Sequence, residues 1–388
     1  MTNITLFSQI ISKIDRQTFS RLVKEYKTDQ YQKGISSWSH LVSMLFCQFS
    51  KSNSLRDISN GLRSATGNLN HLGMKSAPSK SGLSYQNCHR DYHLFQAFYY
   101  QLLSHLMQQG RFKQNTFKIK SKIYLLDSST ISLCLSLFDW AKYKTTKGAI
   151  KLHTLLNYDG HLPSYIHISN GKVADNIAAA SMPIQGRSVV VADRFYQDFS
   201  LLYNWDSIGA FFVVRSKSNL QYTSIKENEL PDNRHQHILI DEVIELEGNI
   251  TAKKYPKRLR RIAVYDAKED RVIELLTNNF IWTANTISEL YKARWQIEIF
   301  FKEIKQLLKI KSFLGTSENA VMIQVWTVMI TILMLKYLRK IAQYHWNLSN
   351  LVSFLRLNLF VKIDLHRWLD APFEQDVGNT LIIQGTLF

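Results

Sequence analysis

The chain is poor in cysteine and short of acid, and its longest apolar stretch is expected to fall short of crossing a membrane. Its three cysteines, Cys47, Cys88 and Cys134, are odd in number and far apart. That excludes a disulfide framework and a paired-cysteine zinc site, and fits a reducing cytosol. The opening MTNITLFSQI lacks the charged-then-apolar pattern of a secretory leader. The longest apolar run, Ala320 to Leu335, contains Gln324 and is about one turn short of a spanning helix, so it predicts a buried core helix and no membrane partner. There is no internal repeat and no long low-complexity segment. Acid is scarce: 31 Asp and Glu stand against 48 Lys and Arg, a formal charge of +17. A pI near 9.6 suits a polyanionic partner, either nucleic acid or an anionic membrane surface. The cations are spread over several segments, which favours a broad binding surface.

What is present is enough for several domains. A chain of 388 residues with 45% hydrophobic and 20% charged content is that of a folded protein with at least one large core. Residues 1–115 read as an all-helical N-terminal domain, with apolar residues at helical spacing in Phe7, Ile10, Ile11, Ile14 and in Leu41, Met44, Leu45, Phe49. Short helices with basic edges suit DNA binding, and a purely packing role fits the same pattern. From Lys120 the pattern changes. Lys122-Ile-Tyr-Leu-Leu-Asp127 and Ser188-Val-Val-Val-Ala-Asp193 are buried-strand runs that each close on a carboxylate. Between them, 149–157 and 161–169 predict a hairpin turning at Tyr158-Asp159-Gly160, followed by a helix near 173–184. A helix over 195–208 and a strand over 209–214 come next. Residues 216–285 read as a strand-rich, basic segment, and 341–388 as helix ending in a tail.

The stretch Tyr291 to Lys305 carries the sharpest signal. At about 100° per residue, Tyr291, Arg294, Glu298, Lys302 and Lys305 fall within roughly 80° of one another. Ile297, Phe300, Ile304, Leu307 and Leu308 point away. One face is therefore an apolar anchor, while the other sets a carboxylate among cations and a phenol. An amphipathic surface helix has the same outline. The carboxylate suits a divalent metal, and the cations and phenol suit phosphates.

Tyr, two residues, Arg, three residues, Glu, six residues, Lys resembles the Y–R–E–K signature of insertion-sequence transposases of family four. The resemblance covers roughly residues 120 to 335. Leu126-Asp127-Ser-Ser-Thr-Ile-Ser-Leu is similar to that family's first-aspartate block, and Lys147-Gly-Ala-Ile-Lys-Leu-His153 to its basic second strand. Asp193-Arg194-Phe195-Tyr196 is similar to its Asp-Arg-Gly-Tyr, with Phe195 where the family has Gly, a residue that permits close backbone approach or positive φ.

The resemblance implies an α/β, ribonuclease H-like catalytic domain: a mixed sheet with flanking helices, over 116–215 and 286–340, interrupted by the β-rich insertion at 216–285. It implies an acid triad of Asp127, Asp193 and Glu298 holding two Mg²⁺ ions, with Mn²⁺ able to substitute, and phosphate contacts from Tyr291, Arg294, Lys305 and the neighbouring Lys302. Three converging carboxylates need such compensation, and hard cations prefer oxygen ligands. Two ions about 4 Å apart activate the attacking oxygen and stabilise the leaving one. Lys147, Lys151, Arg194, Lys253, Lys254, Lys257, Arg258, Arg260 and Arg261 are candidate DNA contacts, with a solvated charged surface as the simpler reading. The family's flipped-base Trp aligns with Ile273; Trp282 and Trp295 lie near it in sequence.

The implied activity is cut-and-paste DNA transposition. Metal-dependent cleavage of element ends is followed by strand transfer, on double-stranded DNA, by a homodimer in the synaptic complex, in the bacterial cytoplasm on the nucleoid. A ribonuclease H-like nuclease that only hydrolyses, or an inactive transposase-derived DNA-binding protein, would share these residues.

Overall fold

The computed structural model describes residues 3–373 except 33, 66, 114–116, 135–137, 145–146 and 231–236. The chain opens with six helices: α1 (Leu6–Ile11), α2 (Arg16–Glu25), α3 (Ser37–Ser50), α4 (Leu55–Ser64), α5 (Lys80–His89) and α6 (His93–Gln108). Five of them start at a residue whose side chain accepts from the first turn: Thr5, Asp15, Ser36, Ser54 and Ser79. Such caps satisfy amides that a short helix leaves without partners.

Next come β1 (Ile123–Leu133), β2 (Lys142–Lys144), β3 (Lys147–Asn157), β4 (Leu162–Asn170), α7 (Asp175–Ala180), β5 (Val189–Ala192), α8 (Phe199–Ser207) and β6 (Phe211–Arg215). β1 pairs antiparallel with β3, and β3 with β4, while β1, β5 and β6 are mutually parallel. The resulting order β4-β3-β1-β5-β6 is that of a ribonuclease H-like sheet, as the sequence order predicted. The hairpin turn falls where expected. Gly160 has φ +71°, and a Cβ there would stand 2.7 Å from the Phe112 ring, so only glycine fits.

The segment 216–285 holds β7 (Tyr222–Glu227), β8 (Ile238–Leu246), α9 (Thr251–Lys254), β9 (Leu259–Asp266) and β10 (Arg271–Thr277). It does not form a separate layer. β10 pairs antiparallel with β6, and β9, β8 and β7 follow outward, so the insertion extends the catalytic sheet. β7, mostly exposed, lacks the apolar alternation that marks the other three.

The sheet is covered on both sides, and strand alternation assigns its residues to them. Val189, Val191 and Val213 join the larger core, with Ile287, Leu290, Ile297 and Phe300. Val190, Ala192, Phe212 and Val214 face the smaller one, with Leu201, Leu202 and Trp205 of α8. The larger core is completed by α10 (Ala284–Ala293), α11 (Trp295–Leu307), α12 (Glu318–Ile341), α13 (Leu348–Asn358) and α14 (Leu365–Asp370). α12 is long and apolar enough to cross a membrane by composition, yet it is largely buried and packs against α3, α5, α6 and α13. The Leu6 and Phe7 amides also bond to carbonyls of Val361 and Leu359. Helices from both ends of the chain thus share one core. The predicted tail beyond 373 lies outside the described residues.

Candidate active site

The end of a parallel pairing creates the site: β5 stops at Ala192, whereas β1 does not close on Asp127 but runs on to Leu133 beside β3. β1 and β5 run parallel, and their pairing stops at Leu126 opposite Ala192. The next residue on each is an acid, Asp127 and Asp193. Ligand crevices in such sheets open at the carboxyl ends of parallel strands. Alternation places both acids on the side covered by α10 and α11, because Leu125 and Val191 two residues earlier face the larger core.

α11 passes over β1 and brings Glu298 to this edge. Arg294 ties the acids together. Its Nη2 donates to Glu298 Oε1 at 2.7 Å and its Nη1 to Asp127 Oδ2 at 3.4 Å. The Tyr291 hydroxyl reaches Asp193 Oδ1 at 3.5 Å, and the guanidinium lies 5.6 Å from the Tyr291 ring centre. Burial pushes the Asp127 carboxyl up to about 6; the charges of Asp193 and Glu298 add to this, while the Ser128 amide and Arg294 oppose it. Among the described residues no three His, Cys, Asp or Glu side chains are gathered closely enough to hold an ion as they stand. The arginine is the cation that lies among these acids.

The predicted helix over 291–305 is in fact two. Tyr291 ends up on α10, Glu298, Lys302 and Lys305 on α11, and Arg294 at the join. There the amides of Arg294 and Ile297 bond three residues back, to Tyr291 and Arg294, a tightened turn between the two helices. The apolar anchor is as predicted: Ile297, Phe300, Ile304 and Leu308 are buried. Lys302 is exposed, and Lys305 Nζ donates to the Thr130 carbonyl of β1 at 3.1 Å.

Phe195 does not need the glycine it replaces. It sits in a short 3₁₀ turn over Arg194–Tyr196, absent from the non-glycine residues with positive φ, and its ring is 65% exposed. Arg194 is exposed beside it, 5.7 Å from the ring centre. Trp295 is 60% exposed next to Arg294, whereas Trp282 packs 5.2 Å from Phe211 and Ile273 lies half-buried on β10.

Several predicted DNA contacts are redirected inward. Lys151 Nζ bonds the Val173 carbonyl at 3.1 Å and Asp175 at 3.4 Å. Arg260 is buried and forks onto Asp241, and buried Arg261 pairs with Glu242 and Glu274. Desolvated guanidinium groups need such partners, so Arg260 and Arg261 hold β8, β9 and β10 together rather than meeting a ligand. Lys257 bonds Asp206 and Arg258 bonds Glu245 at the surface. Lys253 and Lys254 remain exposed on α9. Lys147 opens β3, but its side chain lies outside the described ones.

One group behind the acids was not anticipated. Ser128 faces the other side of the sheet from Asp127 and donates to Asp175 Oδ1 at 2.6 Å. His153, directly across from Ser128 on β3, lies with Nδ1 3.4 Å from the same oxygen. Burial alone would raise Asp175, yet His153, Ser128 and Lys151 together hold it down to about 2. Lys151 and His153, two apart on a strand, share a face, and that spacing was the available signal.

The sequence profile of the Transposase DDE domain matches residues 118–334, and that of a domain of unknown function, DUF4372, matches residues 2–75. A putative transposase, y4zB, of Sinorhizobium fredii is 33% identical over 221 residues, 56% of this chain and 61% of that one. A probable transposase for insertion sequence element IS5377 of Geobacillus stearothermophilus is 25% identical over 248 residues, 64% and 65% of the two chains. The match to these relatives thus spans just under two thirds of their length. Among solved structures, a piggyBac transposase synaptic complex with hairpin DNA superposes with a TM-score of 0.47 at 11% identity, over 95% of this chain and 81% of that one.

Proposed function

This chain belongs to the transposase DDE domain family, and from that premise we propose that it cuts and joins DNA at the ends of an insertion sequence. The observation that carries the reading is the pair Asp127 and Asp193 side by side where the parallel pairing of β1 and β5 ends, with Arg294 linking Asp127 to Glu298. The donor set is all oxygen and crowded with like charge, and burial leaves Asp127 in want of a cation. This suits a hard divalent ion. Asp127, Asp193 and Glu298 would hold it, and Mg²⁺, as two ions, is the assignment we favour. When bound, such ions activate the attacking oxygen and neutralise the leaving one.

The chain's own residues do the rest. Arg294 stands in for a cation among the acids, and re-pairing with a backbone phosphate would free Asp127 and Glu298 at the moment DNA arrives. The planar guanidinium suits that exchange, since it forks onto carboxylate and phosphate alike. Tyr291, which donates to Asp193 in this structure, and Lys305 would hold neighbouring phosphates; Lys302, Arg194, Lys253 and Lys254 are exposed cations at further reach. In the first reaction water attacks the phosphodiester at the element end, one P–O bond forms, and the 3′ oxygen leaves as a free hydroxyl. In the second that hydroxyl attacks another phosphodiester, exchanging one P–O bond for another. Work on two ends calls for a homodimer, acting in the cytoplasm on the nucleoid.

A labelled element end incubated with a target plasmid separates this reading from plain hydrolysis. Label covalently joined to the plasmid is the expected product. Cleaved end without joined product would make the protein a nuclease on the same scaffold.

A further inference from the structure

The charge run that stands out in the sequence, 253–261, is largely consumed by acids: Lys257, Arg258, Arg260 and Arg261 all have carboxylate partners. A group of cations without such partners gathers elsewhere, around the turn between β3 and β4. On one side of that turn a hollow of about 740 Å³ is lined by Lys113, Lys118, Lys120 and Lys122, with Phe117 and Tyr158. On the other side a hollow of about 370 Å³ is lined by Arg339, Lys340 and His345, with buried Lys336 below. The two adjoin: Phe117 packs against Tyr158 with ring centres 5.2 Å apart, Tyr158 meets His161 at 5.7 Å, and Phe112 covers Gly160.

Four of these lysines and Lys340 are exposed. None of the six cations Lys113, Lys118, Lys120, Lys122, Arg339 and Lys340 makes an ion pair with a described residue. Among the described residues Asp159 is the one acid in the two linings. The local field is felt by His161, which burial and the charges of Lys336 and Arg339 push down to about 4. Its Nε2 is buried without a hydrogen-bond partner. The turn lies beside the start of β1, since the Tyr158 amide bonds the Ile123 carbonyl, and Asp127 stands in the middle of that strand. Four residue steps along the strand separate Ile123 from Asp127, roughly 13 Å.

We propose that this surface is a second DNA-backbone site, which holds duplex away from the reacting phosphodiester. Solvated cations that outnumber the acids beside them gain by displacing the counterions of a polyanion, and the two hollows offer them on both sides of one turn. The inference rests on the reading of the chain as a protein that acts on DNA, and adds where the non-reacting part of that DNA lies.

The test uses the full chain, a short duplex carrying only the reacting end, and a longer duplex extending it. Binding is followed by fluorescence anisotropy across a salt series, for wild type and for a variant with Lys118→Ala, Lys120→Ala, Arg339→Ala and Lys340→Ala. Wild type should hold the longer duplex more tightly. The variant should lose most of that gain, about tenfold or more, with a salt slope shallower by roughly 0.9 for each phosphate no longer neutralised. It should still bind and cut the short duplex. A variant that keeps the full gain, or a wild type that shows none, overturns the proposal. A wild type that grips the longer duplex in this cation-dependent way but never cuts supports the surface and counts against the active site. If wild type holds neither duplex, both readings fall.

Discussion

Asp127 and Asp175 lie on opposite sides of one sheet and are perturbed in opposite directions. Asp127 is raised from 3.8 to about 6, chiefly by burial. Its ionised form is disfavoured in the folded state, so its contribution falls as pH rises from about 4 to 6 and stays low above. Asp127→Asn should therefore stabilise the metal-free protein at pH 7 by about 3 kcal/mol and have little effect near pH 4. Urea unfolding in chelator at both values measures this; equal effects would mean the carboxyl is not strained. Asp175 is held down to about 2 from 3.8. Its contribution is complete above about pH 4 and is lost as pH falls through 2. Asp175→Asn should cost about 2 kcal/mol at pH 7, and the difference from wild type should close as pH falls below 4. The first acid was legible in the sequence because an apolar run ends on it, although β1 itself continues to Leu133. The role of the second was not, because it opens helix α7 and its partners Ser128, Lys151 and His153 come from β1 and β3, remote in sequence.

At the scale of elements, helices and strands with one strong apolar period were readable. β1, β5 and the anchor face of α11 fall where the pattern put them. The break at Arg294 was not readable, because a single tightened turn leaves the spacing of Tyr291, Glu298 and Lys305 in sequence untouched while moving Tyr291 onto a different helix. The β3–β4 turn gives an element-scale prediction. Gly160 combines φ +71° with the Phe112 ring where a Cβ would go. Gly160→Ala should cost about 2 to 4 kcal/mol in thermal unfolding, from left-handed backbone strain and overpacking together. A loss under 1 kcal/mol would mean that Phe112 moves aside freely.

For the molecule as a whole, net charge indicated a polyanionic partner but not where it binds. Local sequence could not reveal that Arg260 and Arg261 would meet Asp241, Glu242 and Glu274 across neighbouring strands. Arg260→Ala should destabilise the sheet by about 3 to 5 kcal/mol, since it leaves a buried carboxylate unpaired. Lys253→Ala, at an exposed site, should change stability by less than about 0.5 kcal/mol. Comparing their unfolding midpoints checks whether this run is structural. The central claim, that Asp127, Asp193 and Glu298 act as one metal-dependent centre, is tested most directly by cleavage of labelled DNA carrying the element's own ends. Wild type would be compared with Asp127→Ala, Asp193→Ala and Glu298→Ala, with Mg²⁺ and with chelator. The account predicts cutting at the end by wild type with Mg²⁺ alone, and its loss in all three variants although each still binds the DNA. Cutting that persists in chelator, or survives the loss of Glu298, would contradict it.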